Sequence, residues 1–535
     1  MKKNVQILDC TLRDGGRIIN CNFENSTIKN ITNELTDAGI DIVEVGFLRS
    51  RDLVDYNGNS TFFTDVSQMS QFIPFNNNET LYIAFIDYNM YDFDELQECD
   101  NTSITGIRVG FTKKQYEEDF EGIKNALNIV KQKGYKLFIQ TVNSLGYSDK
   151  ELLDIIDMAN EVEPYSFGIV DTYGAMYLED IIHYYNVVDY NLKSDICIDI
   201  HSHNNFQLSF AFAQEIVRLS GDKRNIILDA TLNGMGKCAG NLNTELIADY
   251  LMRRKNYDYE LDIILDIIDR YLTPLKSKYF WGYSIPAFMA GIYKSHPNNI
   301  IYLTEKYRLD SKDIKYIISA IDEDKRQRYD YDNIQKIYRE YNASKYDDQQ
   351  TLDELRVQLK EKNILIMAPG NSINLYKNQI LDYIKDNSLV IISVNFIPTY
   401  VKCDYYFYAN SVHWGRVYKK IEKEKSIIVS NIHEHVDGVN IVDYSSLLSD
   451  ESVLGDNSTI MLLNLLKKLD VKKIRIVGFD GLSDCGVNYV NSDFIDNKKL
   501  STNEINEEIK KLYGNFKDKI QNKIDVKIIT PTVYE

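Results

Sequence analysis

Short runs of β-branched and aromatic residues recur through the first half of the chain, each followed by a longer stretch with apolar positions at helical spacing. The runs are Val5–Cys10, Asp41–Phe47, Leu81–Asp87, Ile104–Phe111, Tyr135–Val142, Ser166–Asp171, Ile196–His201 and Ile226–Ala230. They are too short for helices and mostly apolar, so they read as strands buried on both faces. Between them, stretches such as Ser26–Gly39 and Tyr116–Gly134 are amphipathic and end on glycine, a helix stop signal. Eight strands alternating with helices over about 250 residues predict a (β/α)8 TIM barrel. A doubly wound sheet has the same alternation, and periodicity does not separate the two.

The pattern then changes. Tyr271–Asn299 is rich in aromatic residues, Trp281 among them, and suits the lining or lid of a barrel mouth. From Ile321 to Asn363 the chain is densely charged, as exposed helices joining two domains would be, with a boundary near Asp353. Beyond it Asn363–Met367, Leu389–Asn395, Asp404–Tyr408, Ser426–Ser430 and Lys473–Gly478 again read as buried strands between helices. The expected organisation is a barrel over 1–300, a helical linker region over 301–360 and a Rossmann-like α/β domain over 361–535.

The length of 535 residues agrees with more than one core. The net charge of −18 argues against nucleic acid and anionic lipid as partners. Cysteines at 10, 21, 99, 197, 238, 403 and 485 form no CxxC pair, which speaks against a disulfide framework and a thiolate zinc site and for a reducing compartment. The N-terminus lacks the apolar core of a signal peptide and no run of ~18 apolar residues occurs, so no membrane span and a cytoplasmic location are expected.

Polar residues gather at the C-terminal ends of the expected strands: Arg13 and Asp14, Glu44, Arg108, Asn143, Asp171, His201 and His203. In a barrel those ends open on the face that carries chemistry. His201 and His203 are spaced to point the same way from an extended strand, so both imidazoles can bind one cation. Asp14 would add an oxygen ligand. Arg13 beside it is fixed positive charge where an oxyanion develops, and Asn233–Asn241 holds three glycines that can cradle an anion.

Asp9-x-Thr11-Leu12-Arg13-Asp14-Gly15-Gly16, Glu44-Val45-Gly46-Phe47, Asp171-Thr172-Tyr173-Gly174, His201-x-His203-x-Asn205 and Gly234-x-Gly236-x-x-x-Gly240-Asn241 occur in the order seen in one superfamily. Residues 4–300 resemble the DRE-TIM metallolyases, which include hydroxymethylglutaryl-CoA lyase, isopropylmalate synthase and 4-hydroxy-2-oxovalerate aldolase. The resemblance implies that Asp14, His201, His203 and Asn241 hold a divalent metal, Mn²⁺ or Mg²⁺. Arg13 would stabilise an enolate oxygen, with Glu44 behind it, and Arg17 and Arg108 join Glu44 in the substrate-binding set. The implied chemistry is reversible aldol addition of pyruvate, or a similar 2-oxo acid, to an aldehyde. A Claisen-type acyl-CoA condensation and an inactive barrel scaffold are the competing readings, and a homo-oligomer is compatible with either.

The aldolases of this group place a histidine where this chain has Arg17, which is a poor base. Cys238, in the glycine loop, and Tyr283 are the expected substitutes for catalysis. In the second domain, Gly370, Asn371 and Ser372 follow the first strand, Asn395 ends the next and Asp480 a later one. These positions predict a ligand loop for a nucleotide or nucleotide-sugar and weakly resemble bacterial sialyltransferase-type domains, suggesting a role in unusual sugar or surface-glycan synthesis. His433-Glu434-His435 is a second HxH, expected in a surface loop.

Overall fold

A computed structural model describes residues 3–56, 58–74, 79–221, 223–306, 309, 311–432, 436–449, 454–484, 487–491, 501–521 and 523–535. The His433–His435 stretch lies outside these. The chain forms two compact units, one of residues 1–301 with 321–329, the other of 302–320 with 330–535. The stretch expected as a linker is therefore divided: 302–320 and 330–360 cluster with the second unit, and 321–329 with the first.

In the first unit β1 (Val5–Asp9), β2 (Ile42–Leu48), β3 (Phe62–Phe63), β4 (Leu81–Asp87), β5 (Gly106–Thr112), β6 (Lys136–Val142), β7 (Ser166–Asp171), β8 (Cys197–Ser202) and β9 (Ile226–Ala230) form one parallel sheet. Its order is β1-β9-β8-β7-β6-β5-β4-β2, with the two-residue β3 on the end of β2, and β1 also pairs with β2. That last pairing closes the sheet, so the architecture is a (β/α)8 barrel and the doubly wound alternative is excluded. Each of the eight expected runs is a barrel strand displaced by at most two residues. The surrounding helices follow from local sequence. Asp149–Val162 starts at Ser148, whose side chain accepts from Glu151 N in a capping box, and buries Leu152, Ile155, Ile156, Ala159 and Val162 along one stripe.

One layer of the barrel interior is charged. Arg108, fully buried on β5, donates to Asp229 on β9 (2.6 and 2.8 Å) and to Asp199 on β8 (2.9 Å). Gln140 on β6 donates to the same Asp199 oxygen at 2.8 Å, and Glu44 on β2 lies 3.6 Å from Arg108. Burial works against both aspartates. Asp229 nevertheless stays ionised, well below the usual carboxylate range, because Arg108 and His201 both hold its charge. Burial pushes Asp199 well above that range, Asp229 adding to the effect. Asp199→Asn, whose amide oxygen can keep the bonds from Arg108 and Gln140, is expected to cost less than about 1 kcal/mol; a urea midpoint far below that of the parent would show that Arg108 needs a charge at this position.

The second unit is built on a seven-stranded parallel sheet of β10 (Asn363–Met367), β11 (Val390–Val394), β12 (Tyr405–Tyr408), β13 (Ser426–Val429), β14 (Asn440–Val442), β15 (Lys473–Val477) and β16 (Asp525–Ile528). The order is β14-β13-β12-β11-β10-β15-β16, a Rossmann-like open sheet whose strand order reverses at β10. The two edge strands β14 and β16 are absent from the sequence expectation: they are short, and only one residue in each is buried. Among the described residues no helix is long and apolar enough to cross a membrane.

Candidate metal centre

The loop after β1 is wound tightly around one carbonyl. The amides of Arg13, Asp14 and Gly15 all donate to Cys10 O (3.1, 2.8 and 3.2 Å), and Thr61 Oγ1 holds Leu12 O at 2.7 Å. This turns Asp14 and Arg13 inward over the barrel. Arg13 donates to Glu44 through Nε (2.6 Å) and to Asp14 through Nη1 (2.7 Å), so both carboxylates orient its guanidinium. Burial opposes the Asp14 charge, yet Arg13, the two histidines and Arg17 hold its carboxyl well below the usual range.

His201 lies on β8 and His203 one residue beyond it, both on the face of the strand that turns to Asp14. His201 Nδ1 pairs with Asp229 at 2.8 Å, which leaves Nε2 for the site, 4.0 Å from Asp14 Oδ2. His203 Nε2 is 3.8 Å from the same oxygen. Burial pushes the His203 imidazole down to about 4, so it is a neutral ligand at physiological pH. An antiparallel bridge joins His203 to Asn241, which donates Nδ2 to Asp14 Oδ2 (3.0 Å) and to Met235 O (3.1 Å). Its buried Oδ1 has no hydrogen-bond partner among the described residues.

These features fit a divalent cation. Both imidazole nitrogens are too far from the carboxylate for hydrogen bonds, and the separation suits an ion at about 2.0–2.2 Å from each. A carboxylate, two imidazoles and an amide oxygen unpartnered among the described residues form the oxygen and nitrogen set that hard or borderline cations take. Cys10, His201 and Asp229 also cluster. There, however, the thiol is given to Ala230 O, burial keeps it protonated and Asp229 already engages His201 Nδ1, so this trio orients His201 from behind.

The glycine loop after β9 fixes Asn241. Gly240 has φ +77°, and a Cβ there would lie 1.8 Å from Gly234 O. At Gly236 a Cβ would lie 2.5 Å from Asn241 Nδ2, although the backbone itself suits any residue. Gly236→Ala is therefore expected to push Asn241 off Asp14 and weaken Mn²⁺ binding about tenfold or more. Calorimetric titration reads this directly, and parental affinity in the variant would remove Asn241 from the ligand set.

The other expected residues divide. Arg17 reaches the mouth, 3.5 Å from Asp14 and 3.8 Å from Asp87, with its guanidinium over the Phe47 ring. Two expectations need correction. Arg108 has no exposure and its charge is spent on Asp229 and Asp199, so it lies beneath the site and touches no substrate. Glu44, equally buried, positions Arg13 and is likewise shielded from substrate. Cys238 sits in the glycine loop with φ 54°, and burial pushes its thiol up to about 12, which rules out a standing thiolate. Tyr283 is 51% exposed and forms no hydrogen bond among the described residues.

Three residues at the mouth escape the sequence reading. Arg49 packs over the Phe47 ring and pairs with Asp87. Lys237, next to Cys238, is lowered by burial and by Arg17 and donates to Asn298 Oδ1 at 3.3 Å. His296 is the third. Their signal was adjacency to the motifs for the first two and membership of the aromatic 271–299 stretch for His296. A separate cavity of about 600 Å³, lined by Lys3, Asp41, Tyr165 and Asn225, lies at the opposite end of the strands.

In the second unit the loop after β10 is filled from within. Asp480 accepts from Ser372 N (2.7 Å) and from Ser372 Oγ, so the amide expected to meet a phosphate already meets a carboxylate. Gly370 N bonds Gly478 O (2.8 Å), Asn371 N bonds Asn488 O (3.2 Å), and Asn395 bridges Ala409 N to Ser458 Oγ. The five residues expected to form a ligand loop thus spend these groups on joining strand ends.

Comparison with known proteins agrees with the barrel geometry. The profile of the HMGL-like family matches residues 4–269. Oxaloacetate decarboxylase of Mycobacterium tuberculosis is 25% identical over 262 residues, 49% of this chain and 74% of that protein. A probable 2-isopropylmalate synthase of Methanosarcina acetivorans is 24% identical over 246 residues, 45% of this chain and 44% of that protein. A 4-hydroxy-2-oxovalerate aldolase of Geobacillus genomosp. 3 is 23% identical over 283 residues, 51% of this chain and 78% of that protein. The chain thus spans less than half of the synthase and about three-quarters of the other two.

Proposed function

Since residues 4–269 belong to the HMGL-like family, we propose that the barrel is a metal-dependent carbon–carbon lyase that works through the enolate of pyruvate or a similar 2-oxo acid. The observation that carries this is the convergence of Asp14, His201, His203 and the free Asn241 Oδ1 with Arg13 hydrogen-bonded alongside. A divalent cation, Mn²⁺ or Mg²⁺, supplies Lewis acidity to the keto and carboxylate oxygens of such a substrate. The chain's own residues do the rest. Arg13, held by Glu44 and Asp14, presents fixed positive charge to the oxygen on which the enolate develops, and it does so without reorganising. Arg17, Arg49 and Lys237 add positive charge at the mouth, only part of it balanced by Asp87, which favours an anionic substrate.

The acceptor in this reading is an aldehyde, as in the 4-hydroxy-2-oxovalerate aldolase relative. The likeness to a 2-isopropylmalate synthase supports a second reading, condensation with an acyl-CoA, which would release a free thiol. In the strand-end loop of the second unit Asp480 already takes the amide and hydroxyl of Ser372, so neither reading draws on that loop. The test is exchange of pyruvate methyl protons into deuterated water by the Mn²⁺-loaded full chain, followed by incubation of 2-oxo acids with aldehydes or with acyl-CoA. Metal-dependent exchange and aldehyde consumption support the aldolase, and no exchange with any 2-oxo acid overturns it; in the synthase the enolate forms on the acyl-CoA, so thiol release with a 2-oxo acid supports that reading and its absence overturns it.

A further inference from the structure

Aldol addition makes a new bond from the enolate carbon to the aldehyde carbon while the carbonyl π pair moves onto the aldehyde oxygen, which then takes a proton from solvent. That oxygen needs a donor as its charge grows. Most donors near the mouth are already committed. Arg13 serves Glu44 and Asp14, Lys237 serves Asn298 and Tyr173 OH donates to Gln327 O at 2.9 Å. Asp171 is equally engaged, its two oxygens accepting from Ala175 N and Met176 N.

His296 differs. Its Nδ1 accepts from Asn298 N at 3.1 Å, so the neutral ring carries its proton on Nε2, and Nε2 has no partner among the described residues. The ring is fixed on two sides, edge-on to Tyr173 with centroids 6.4 Å apart and tilted against Tyr329 at 5.0 Å. Its backbone N donates to Arg326 O at 2.8 Å, and Asn299 Nδ2 holds both Arg326 O and Arg328 O. Burial, reinforced by the charges of Lys237 and Arg17, pushes the imidazole down to about 3. Tyr173, in the loop after β7, and Asn298, which accepts from Lys237 of the glycine loop, place the ring at the same mouth as the metal ligands. A neutral, oriented imidazole polarises a carbonyl by donating a hydrogen bond and need not give up its proton.

We propose that His296 is a catalytic residue of the acceptor step: its Nε2–H donates a hydrogen bond to the aldehyde oxygen as that oxygen becomes negative. This rests on the aldolase reading above, and the two are separable because enolisation of pyruvate involves no aldehyde.

The experiment compares the full-length parent with His296→Leu and His296→Gln, each loaded with Mn²⁺. Two rates are measured, deuterium exchange into pyruvate and consumption of short aldehydes such as acetaldehyde and glycolaldehyde with pyruvate. The Leu variant is expected to lose about 10²–10³-fold in aldehyde consumption, the cost of removing one such donor, and at least tenfold less than that in exchange. The Gln variant, whose amide nitrogen reaches where Nε2 stands, is expected to recover at least tenfold over Leu. In the parent, imidazole nitrogen NMR should show His296 as the Nε2–H tautomer from pH 5 to 8. An unchanged ratio of the two rates in the Leu variant overturns the inference alone, as does an imidazolium titrating between pH 5 and 8, a readout that stands even if both variants misfold. A parent that exchanges protons but consumes no aldehyde overturns the inference and the aldol half of the reading, and a parent without exchange overturns both entirely.

Discussion

Asp14→Asn is expected to weaken Mn²⁺ binding by at least about 100-fold, the upper end of what loss of a supporting partner costs a metal site, and to abolish metal-dependent proton exchange. Asp14 is the one anion of the ligand set, and both imidazole nitrogens face its Oδ2. The substitution keeps the shape, and its amide oxygen can still accept from Arg13, which retains Glu44 as partner. The fold should therefore survive, and thermal unfolding of the metal-free protein should move little. Metal analysis after dialysis and the exchange assay give the answer together. A variant that keeps metal and exchanges within tenfold of the parent would show that the ion, if bound, lies elsewhere.

The largest effect on stability is expected from Arg108→Met, about 3–5 kcal/mol, the range for breaking a buried ion pair by removing one partner. The methionine fills much of the same volume but leaves Asp229 and Glu44 buried without their common cation, and Asp199 without one of its two donors. Asp229 also orients His201, so the loss should carry to the metal centre as weaker Mn²⁺ binding in the fraction that remains folded. Urea unfolding measures the first effect and titration of the native fraction the second. Adding Asp229→Asn should restore part of the stability, because the two residues share one interaction and their effects do not add. A midpoint for Arg108→Met within about 1 kcal/mol of the parent would mean that water reaches this layer and screens it.

The barrel was legible because each strand is buried on both faces and each intervening helix is punctuated, so the eight runs stand out without long-range knowledge. Asp14, His201, His203 and Asn241 were legible for a different reason: short motifs at strand ends must meet on one face once the barrel closes. Arg108 shows the limit. A charged residue inside an apolar run faces either the interior or the helices, and a strand apolar throughout does not tell which; only Asp199 on β8 and Asp229 on β9, reached across the barrel, settle that it faces inward. Ser372 shows another, since a glycine-bearing loop before a short helix looks the same whether it awaits an external anion or encloses Asp480. His296 and residues 321–329 were hidden most thoroughly, because a charged segment resembling a solvated connector packs instead through backbone carbonyls, and carbonyls leave no mark in the side-chain pattern.

The return of 321–329 to the first unit imposes an order on synthesis. When residue 301 leaves the ribosome the eight strands are complete, yet the carbonyls that Asn299, Tyr173 and His296 require are still to be made. At about 5–20 residues per second the nascent barrel waits seconds with that rim unfinished. A polypeptide stopped at 301 would wait indefinitely, an eight-stranded cylinder with its entrance never framed.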